Sequence, residues 1–179
     1  AVLGIATDAV PPWVALTWSD DPELQLLRAR RYSAELHGGP ERAPPEGVIA
    51  QSDRLRVAYF SADFHDFPGM HLMAGMLEAH DRDHFEIFAF SYGPDSDDLM
   101  RERIIAAVDH FIDIRELPTS AVVDASRELG IDIAIHRNGY TKETRTELFQ
   151  ERLAPVQISY LGYPGTLGTD FVDYLVADP

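Results

Sequence analysis

The stretch "DFHDFPGMHLM", residues 63–73, gathers two aspartates and two histidines around a proline. It lies between an apolar run that reads as a buried strand and a run that reads as the start of a helix. Imidazole and carboxylate are the side chains that take up and return protons near neutral pH. His71 falls in the first turn of the helix that Pro68 opens, where the positive end of the helix dipole favours a neutral ring. A neutral imidazole there can accept a proton or bind an anionic oxygen; the alternative is that it orients the loop by bonding a backbone carbonyl. His65, next to Asp66, has the same pair of readings, substrate contact or solvated loop side chain.

Three further loops carry polar groups: "SYGPDSDD", "HRNGYT" and "GYPGTLG". In the last, Gly162, Gly165 and Gly168 permit close backbone approach, and Thr166 offers a hydroxyl to a sugar or phosphate oxygen. The alternative is a tight turn that uses glycine for its dihedrals. In "HRNGYT", Asn138 and Gly139 signal a turn, and Tyr140, Thr141 and Lys142 can face a cleft, with Tyr140 equally suited to packing. "GPDSDD" reads as a capped helix start with Ser96 or Asp95 as cap, since it lacks the ligand repeat of an EF-hand. The histidines His65, His71, His80 and His84 match no common zinc spacing, so no metal site is expected.

The elements that must hold these loops are legible as short apolar runs rich in Val, Ile, Phe and Tyr: "LRVAYFSA", "HFEIFAFSYG", "HFIDI", "IDIAIH", "APVQISYL" and "FVDYLVA". Most lack strict alternation, as strands buried on both faces do. Helical patterns lie between them at residues 68–80, with Met70, Met73, Met76 and Leu77 on one face, and at 96–108, 119–129 and 142–150. The alternation predicts an α/β fold, a Rossmann-like parallel sheet flanked by helices, over residues 51–179. In such a sheet ligands lie outside the carboxyl ends of the strands, where all four polar loops fall. Residues 1–50 read as a helical adjunct: a helix over 22–36, capped by Asp20 or Asp21 with Pro22 in its first turn, then a Pro/Gly-rich linker, "HGGPERAPPEG".

The chain has 179 residues, 45% of them hydrophobic, enough for one sizeable core. A formal charge of -15 argues against nucleic acid as a partner. The absence of cysteine removes disulfides and thiolate metal sites and fits a reducing compartment. With no run able to span a bilayer and no signal-peptide pattern, the expectation is a cytoplasmic protein with no membrane partner.

"LRVAYFSADF", "FEIFAFSYGPD", "HFIDI", "NGYTK", "APVQ" and above all "LGYPGTLG" followed by "DY" occur in an order that resembles the amino-terminal half of the catalytic region of the O-linked N-acetylglucosamine transferase family. The resemblance runs over residues 53–179, more weakly over 22–33. It implies half of a GT-B glycosyltransferase, two Rossmann-like units facing across a cleft. It implies transfer of N-acetylglucosamine from UDP-GlcNAc to Ser or Thr of acceptor proteins, with inversion and without metal or other cofactor. The donor would be held mainly by a carboxyl-terminal half that this chain does not contain. Tetratricopeptide repeats would precede the catalytic region. The chain is therefore expected to be part of a longer enzyme and inactive alone.

Carried onto matching positions, the resemblance nominates His65, Pro68, Leu72, His136, Asn138 and Tyr140 for substrate contact. It adds Thr141 and, in the glycine-rich loop, Gly162, Tyr163, Pro164, Gly165 and Thr166. Phe67 stands where the family has the histidine of its His-Pro pair, the residue assigned to its active site. A phenyl ring neither accepts a proton nor donates a hydrogen bond, which leaves His71 as the candidate imidazole. Relatives carry Asp or Asn at His136 and Pro at Leu153. The other reading of Phe67 is a non-catalytic binding or scaffold domain built on the same fold.

Overall fold

Alternate side chains of a strand point to opposite faces, and in β1 (Leu55–Ser61) both faces are covered. Val57 and Tyr59 pack among Met70, Met73, Leu77 and Ile104, whereas Ala58 and Phe60 pack among Val122, Leu148 and Phe149. This is why the strand reads as a continuous apolar run. The structure, a computed structural model, describes residues 11–38 and 53–177.

Two helices precede the sheet, α1 (Pro12–Ala15) and α2 (Pro22–His37). After β1 come α3 (Pro68–Glu78), β2 (Phe85–Ser91), α4 (Leu99–Ala107), β3 (His110–Asp113), α5 (Thr119–Glu128), β4 (Ile133–His136), α6 (Glu147–Gln150), β5 (Val156–Tyr160) and β6 (Tyr174–Val176). All pairings are parallel, in the order β3-β2-β1-β4-β5-β6. The α/β fold expected from the sequence is thus the doubly wound one, and its order reverses between β1 and β4. The loops leaving those two strands diverge there and open a crevice.

Of the two cap candidates for α2, Asp21 is used: its Oδ1 accepts from the amides of Glu23 and Leu24 at 3.0 and 3.1 Å. The helix is tied to the sheet unit through Tyr32, which meets Tyr140 edge-to-face at 5.0 Å, and through Gly168. A Cβ at Gly168 would stand 2.4 Å from the Arg30 nitrogen, and its φ is +60°, so the loop after β5 lies directly on the α2 backbone. Apart from His37 and Gly38, the stretch read as a linker falls outside the described residues.

Several expected bounds shift for local reasons. The cap of α4 is Asp98, which accepts from the Arg101 amide at 2.9 Å, while Ser96 donates to that carboxylate at 2.6 Å. The helix therefore begins later than residue 96. The helix expected over 142–150 is only α6, because the Thr144 and Thr146 hydroxyls bond back to the Gly139 carbonyl at 2.6 and 3.0 Å and Glu143 is at φ +60°. In β6, Tyr174, Leu175 and Val176 are all exposed, since this is an edge strand with neither face covered by a described helix. Among the described residues no helix is long and apolar enough to cross a membrane.

Candidate functional site

The crevice between β1 and β4 has a polar floor built from five side chains far apart in sequence. Ser61 ends β1, and Arg137 and Asn138 follow β4. Asn138 Oδ1 accepts from Ser61 Oγ at 3.0 Å, from the Ala62 amide at 3.1 Å and from the Tyr92 hydroxyl at 3.0 Å. Its Nδ2 donates to Asp63 Oδ2 at 2.9 Å. The same carboxylate oxygen receives a hydrogen bond from Arg137 Nη1. Each strand thus hands its last polar residues to the other, and the β1 and β4 loops are locked together at their roots.

Burial makes this network energetically consequential. The Arg137 side chain is fully buried and Asp63 nearly so. Desolvation pushes the Arg137 guanidinium below its ordinary range, and the adjacent Asp63 carboxylate opposes that shift and keeps it charged. Desolvation, followed by the nearby Asp63 charge, raises the Tyr92 phenol. Tyr92 is therefore a neutral hydroxyl donor. Arg137 and Asp63 were not among the residues nominated from the sequence. The available signal was a cation immediately after an apolar strand, which requires a buried partner.

The opposite lip of the crevice is open. Phe67 is the N-cap residue of α3 and supplies no side-chain acceptor; the residue is 40% exposed and its ring meets His65 edge-to-face at 5.8 Å. His71, one turn on, bonds through Nε2 to Asp66 Oδ1 at 2.8 Å, and both side chains are mostly exposed. The backbone-carbonyl contact considered for His71 is replaced by this carboxylate. An ionised carboxylate only accepts, so Nε2 carries the proton and Nδ1 is the free lone pair. Asp98, the cap of α4, is held at about 2, first by the Ser96 hydroxyl and then by nearby backbone amides, that of Asp66 among them. Pro68 and Leu72 share this exposed turn.

The remaining nominated residues divide by burial. His136 is fully buried, stacked on Phe149 at 4.3 Å and bonded through Nε2 to Thr146 Oγ1 at 2.9 Å. Burial lowers it to about 3 and keeps it neutral, so it braces the loop and has no face open to a substrate. Tyr140 is packing: its hydroxyl donates to the Leu167 carbonyl at 2.9 Å while its ring meets Tyr163. Thr141 Oγ1 donates to the Asn138 carbonyl at 2.7 Å. In the glycine-rich loop, Tyr163 and Gly165 are buried, Gly162 and Pro164 are exposed, and Thr166 Oγ1 accepts from the Gly168 amide at 3.1 Å. Within the nominated set a ligand can reach Gly162, Pro164 and the α3 turn, which are exposed, and the half-buried Thr141 and Thr166, each of which lines a surface pocket. His80 bonds the Tyr59 hydroxyl and His84 bonds Asp81, and among the described residues no three potential ligands converge on a metal position.

The family model described as "Glycosyl transferase family 41" matches residues 34–179. The probable UDP-N-acetylglucosamine–peptide N-acetylglucosaminyltransferase SEC of Arabidopsis thaliana is 34% identical over 180 residues, covering 95% of this chain and 18% of the relative. A UDP-N-acetylglucosamine–peptide N-acetylglucosaminyltransferase of Caenorhabditis elegans is 36% identical over 131 residues, 73% of this chain and 11% of that protein. Among solved structures, a mutant O-GlcNAc transferase of Thermobaculum terrenum superposes with a TM-score of 0.81 at 28% identity, covering 93% of this chain and 32% of that one. The chain thus spans less than a fifth of these two curated relatives and about a third of the solved structure.

Proposed function

The chain belongs to glycosyl transferase family 41, and from that premise we propose that it supplies the amino-terminal Rossmann-like half of a cytoplasmic enzyme moving N-acetylglucosamine from UDP-GlcNAc to protein Ser or Thr. The family match over residues 34–179 carries this reading, together with a crevice at the point where the strand order reverses. The acceptor hydroxyl oxygen attacks the anomeric carbon opposite the diphosphate. The carbon–oxygen bond to the diphosphate breaks, UDP departs with that electron pair, and the hydroxyl proton passes to a base. On this reading His71 takes that proton at Nδ1, a role supported by the bond that commits its Nε2 to Asp66. Binding of UDP rests mainly on a carboxyl-terminal half, so the chain by itself transfers no sugar.

A second reading is favoured by one observation: the position that should carry the family's imidazole holds the exposed ring of Phe67. On that reading the domain binds without catalysing. Single-turnover transfer by the full-length protein decides between them. With His71 as base, His71→Ala lowers the rate roughly 10²- to 10⁴-fold and Phe67→His changes it little. If the native protein is idle and Phe67→His raises transfer instead, the site is a disabled version of the family's. A folded, donor-binding protein indifferent to both substitutions is a binding domain.

A further inference from the structure

With a formal charge of -15, the chain repels a phosphate group unless a local cation receives it. On the crevice floor that cation is Arg137. One of its terminal nitrogens is committed to Asp63 and its Nε lies 2.9 Å from Met73 Sδ, but Nη2 is buried without a hydrogen-bond partner. An unsatisfied guanidinium nitrogen in the interior is costly, and an incoming oxygen recovers that cost. Nη2 also lies against the first turn of α3: a Cβ added at Gly69 would stand 1.7 Å from it. Gly69 is the second residue of an 11-residue helix whose N-cap residue, Phe67, offers no side-chain acceptor. Pro68 has no N–H and the Met70 amide is taken by the Phe67 carbonyl at 2.8 Å, so the Gly69 amide and the positive end of the dipole meet the free guanidinium nitrogen at one place.

We propose that Arg137 Nη2 and the first turn of α3 form a site for one phosphate oxygen of the nucleotide-sugar donor. This rests on the donor reading above and adds a contact from the half that was expected to leave the diphosphate to its partner. Asp63 fixes the plane of the guanidinium and balances its charge. Recognition therefore works through the remaining N–H groups and the helix terminus rather than through net charge. Gly69 is required for the same reason, since any side chain there would take the place of Nη2.

The probe is inorganic pyrophosphate, titrated into the full chain and followed by calorimetry and by the Arg137 Nε–H resonance. Saturable binding that shifts this resonance is expected. Arg137→Met and Gly69→Ala should each weaken it about 10- to 100-fold, while Arg103→Met, which removes an exposed guanidinium on α4, should leave it unchanged. The resonance reports on the native protein, so the test holds even if a variant fails to fold. Failure of the resonance to move, or equal affinity in all four proteins, overturns the site. Sugar transfer without Arg137-dependent pyrophosphate binding overturns this inference alone. Pyrophosphate binding in a full-length protein that neither binds UDP-GlcNAc nor transfers sugar supports the anion site and removes the donor as its ligand.

Discussion

Asp63 and Asp66 lie three residues apart in one loop, and each is bonded to a basic side chain, yet they belong to different environments. The Asp63–Arg137 pair has side chains 13% and 0% exposed; the Asp66–His71 pair has 69% and 61%. Buried, a carboxylate and a guanidinium depend on each other, because either alone would be a charge stripped of water. Exposed, the same kind of pair is nearly indifferent to stability but fixes which imidazole nitrogen carries a proton. The loop thus has an anchoring end and, on the proposed function, a chemical end. The floor locks the β1 and β4 loops together and leaves only Arg137 Nη2 over, while the side chains of the lip are exposed.

The sharpest way to break this comparison is to remove the buried carboxylate. Asp63→Ala leaves Arg137 unpaired in the interior and takes an acceptor from Asn138. It should cost about 3–5 kcal/mol in denaturant unfolding. Replacing both partners, Asp63→Ala with Arg137→Met, removes the stranded charge. The double variant should therefore be more stable than the sum of the single losses by about 0.5–3 kcal/mol. Strict additivity would mean that the floor is a set of independent contacts and not a network.

The same contrast separates two histidines. His136, buried behind the floor, is lowered to about 3 by desolvation, with the charge of His37 adding to the effect. Above its unfolded value near 6.5 both states are neutral and nothing is lost. As pH falls below that, the unfolded chain takes up a proton that the folded chain refuses until about pH 3, so stability declines across this window. Between pH 7 and pH 5 the loss from this residue should be about 2 kcal/mol. His136→Asn should show a correspondingly smaller decline, read from urea midpoints at the two pH values. His37 and His80, also lowered by burial, contribute to the background in both proteins.

What the sequence disclosed follows from the range of the interactions involved. Strands β1 and β2 were legible because burial on both faces writes a continuous apolar run, and α3 because Met70, Met73 and Leu77 recur at helical spacing and are indeed buried. β5 was less typical: its burial alternates, and the buried positions are Gln157 and Ser159. Gln157 uses both ends of its amide, accepting from Leu153 at 2.9 Å and donating to the Phe149 carbonyl at 2.7 Å, a role no local pattern encodes. The site divides the same way. The loops could be placed on the carboxyl rim from strand order alone, and the Pro68 turn from its proline. That Tyr140 packs under α2, that His136 is sealed, and that Arg137 reaches Asp63 across 74 positions are facts of tertiary contact. No spacing rule spans that distance.

The smallest expected stability effect is the most discriminating, because it isolates the chemical end of the loop. Asp66→Ala removes the carboxylate from an exposed pair and leaves the backbone of the loop as it was. Unfolding free energy should stay within about 0.5 kcal/mol of native, since exposed ion pairs contribute little once solvent screening and side-chain entropy are counted. Transfer by the full-length protein should nevertheless fall, because His71 loses the acceptor that holds Nε2 protonated and points Nδ1 outward. The pH dependence of the remaining rate should change with it, whereas a merely structural role would leave that profile as it was. Asp66→Asn retains an oxygen acceptor and should recover part of the rate. A stability loss comparable to that of Asp63→Ala would place Asp66 among the anchoring residues and erase the distinction. Unchanged stability with unchanged rate and profile would leave the lip without a catalytic imidazole and return the argument to Phe67.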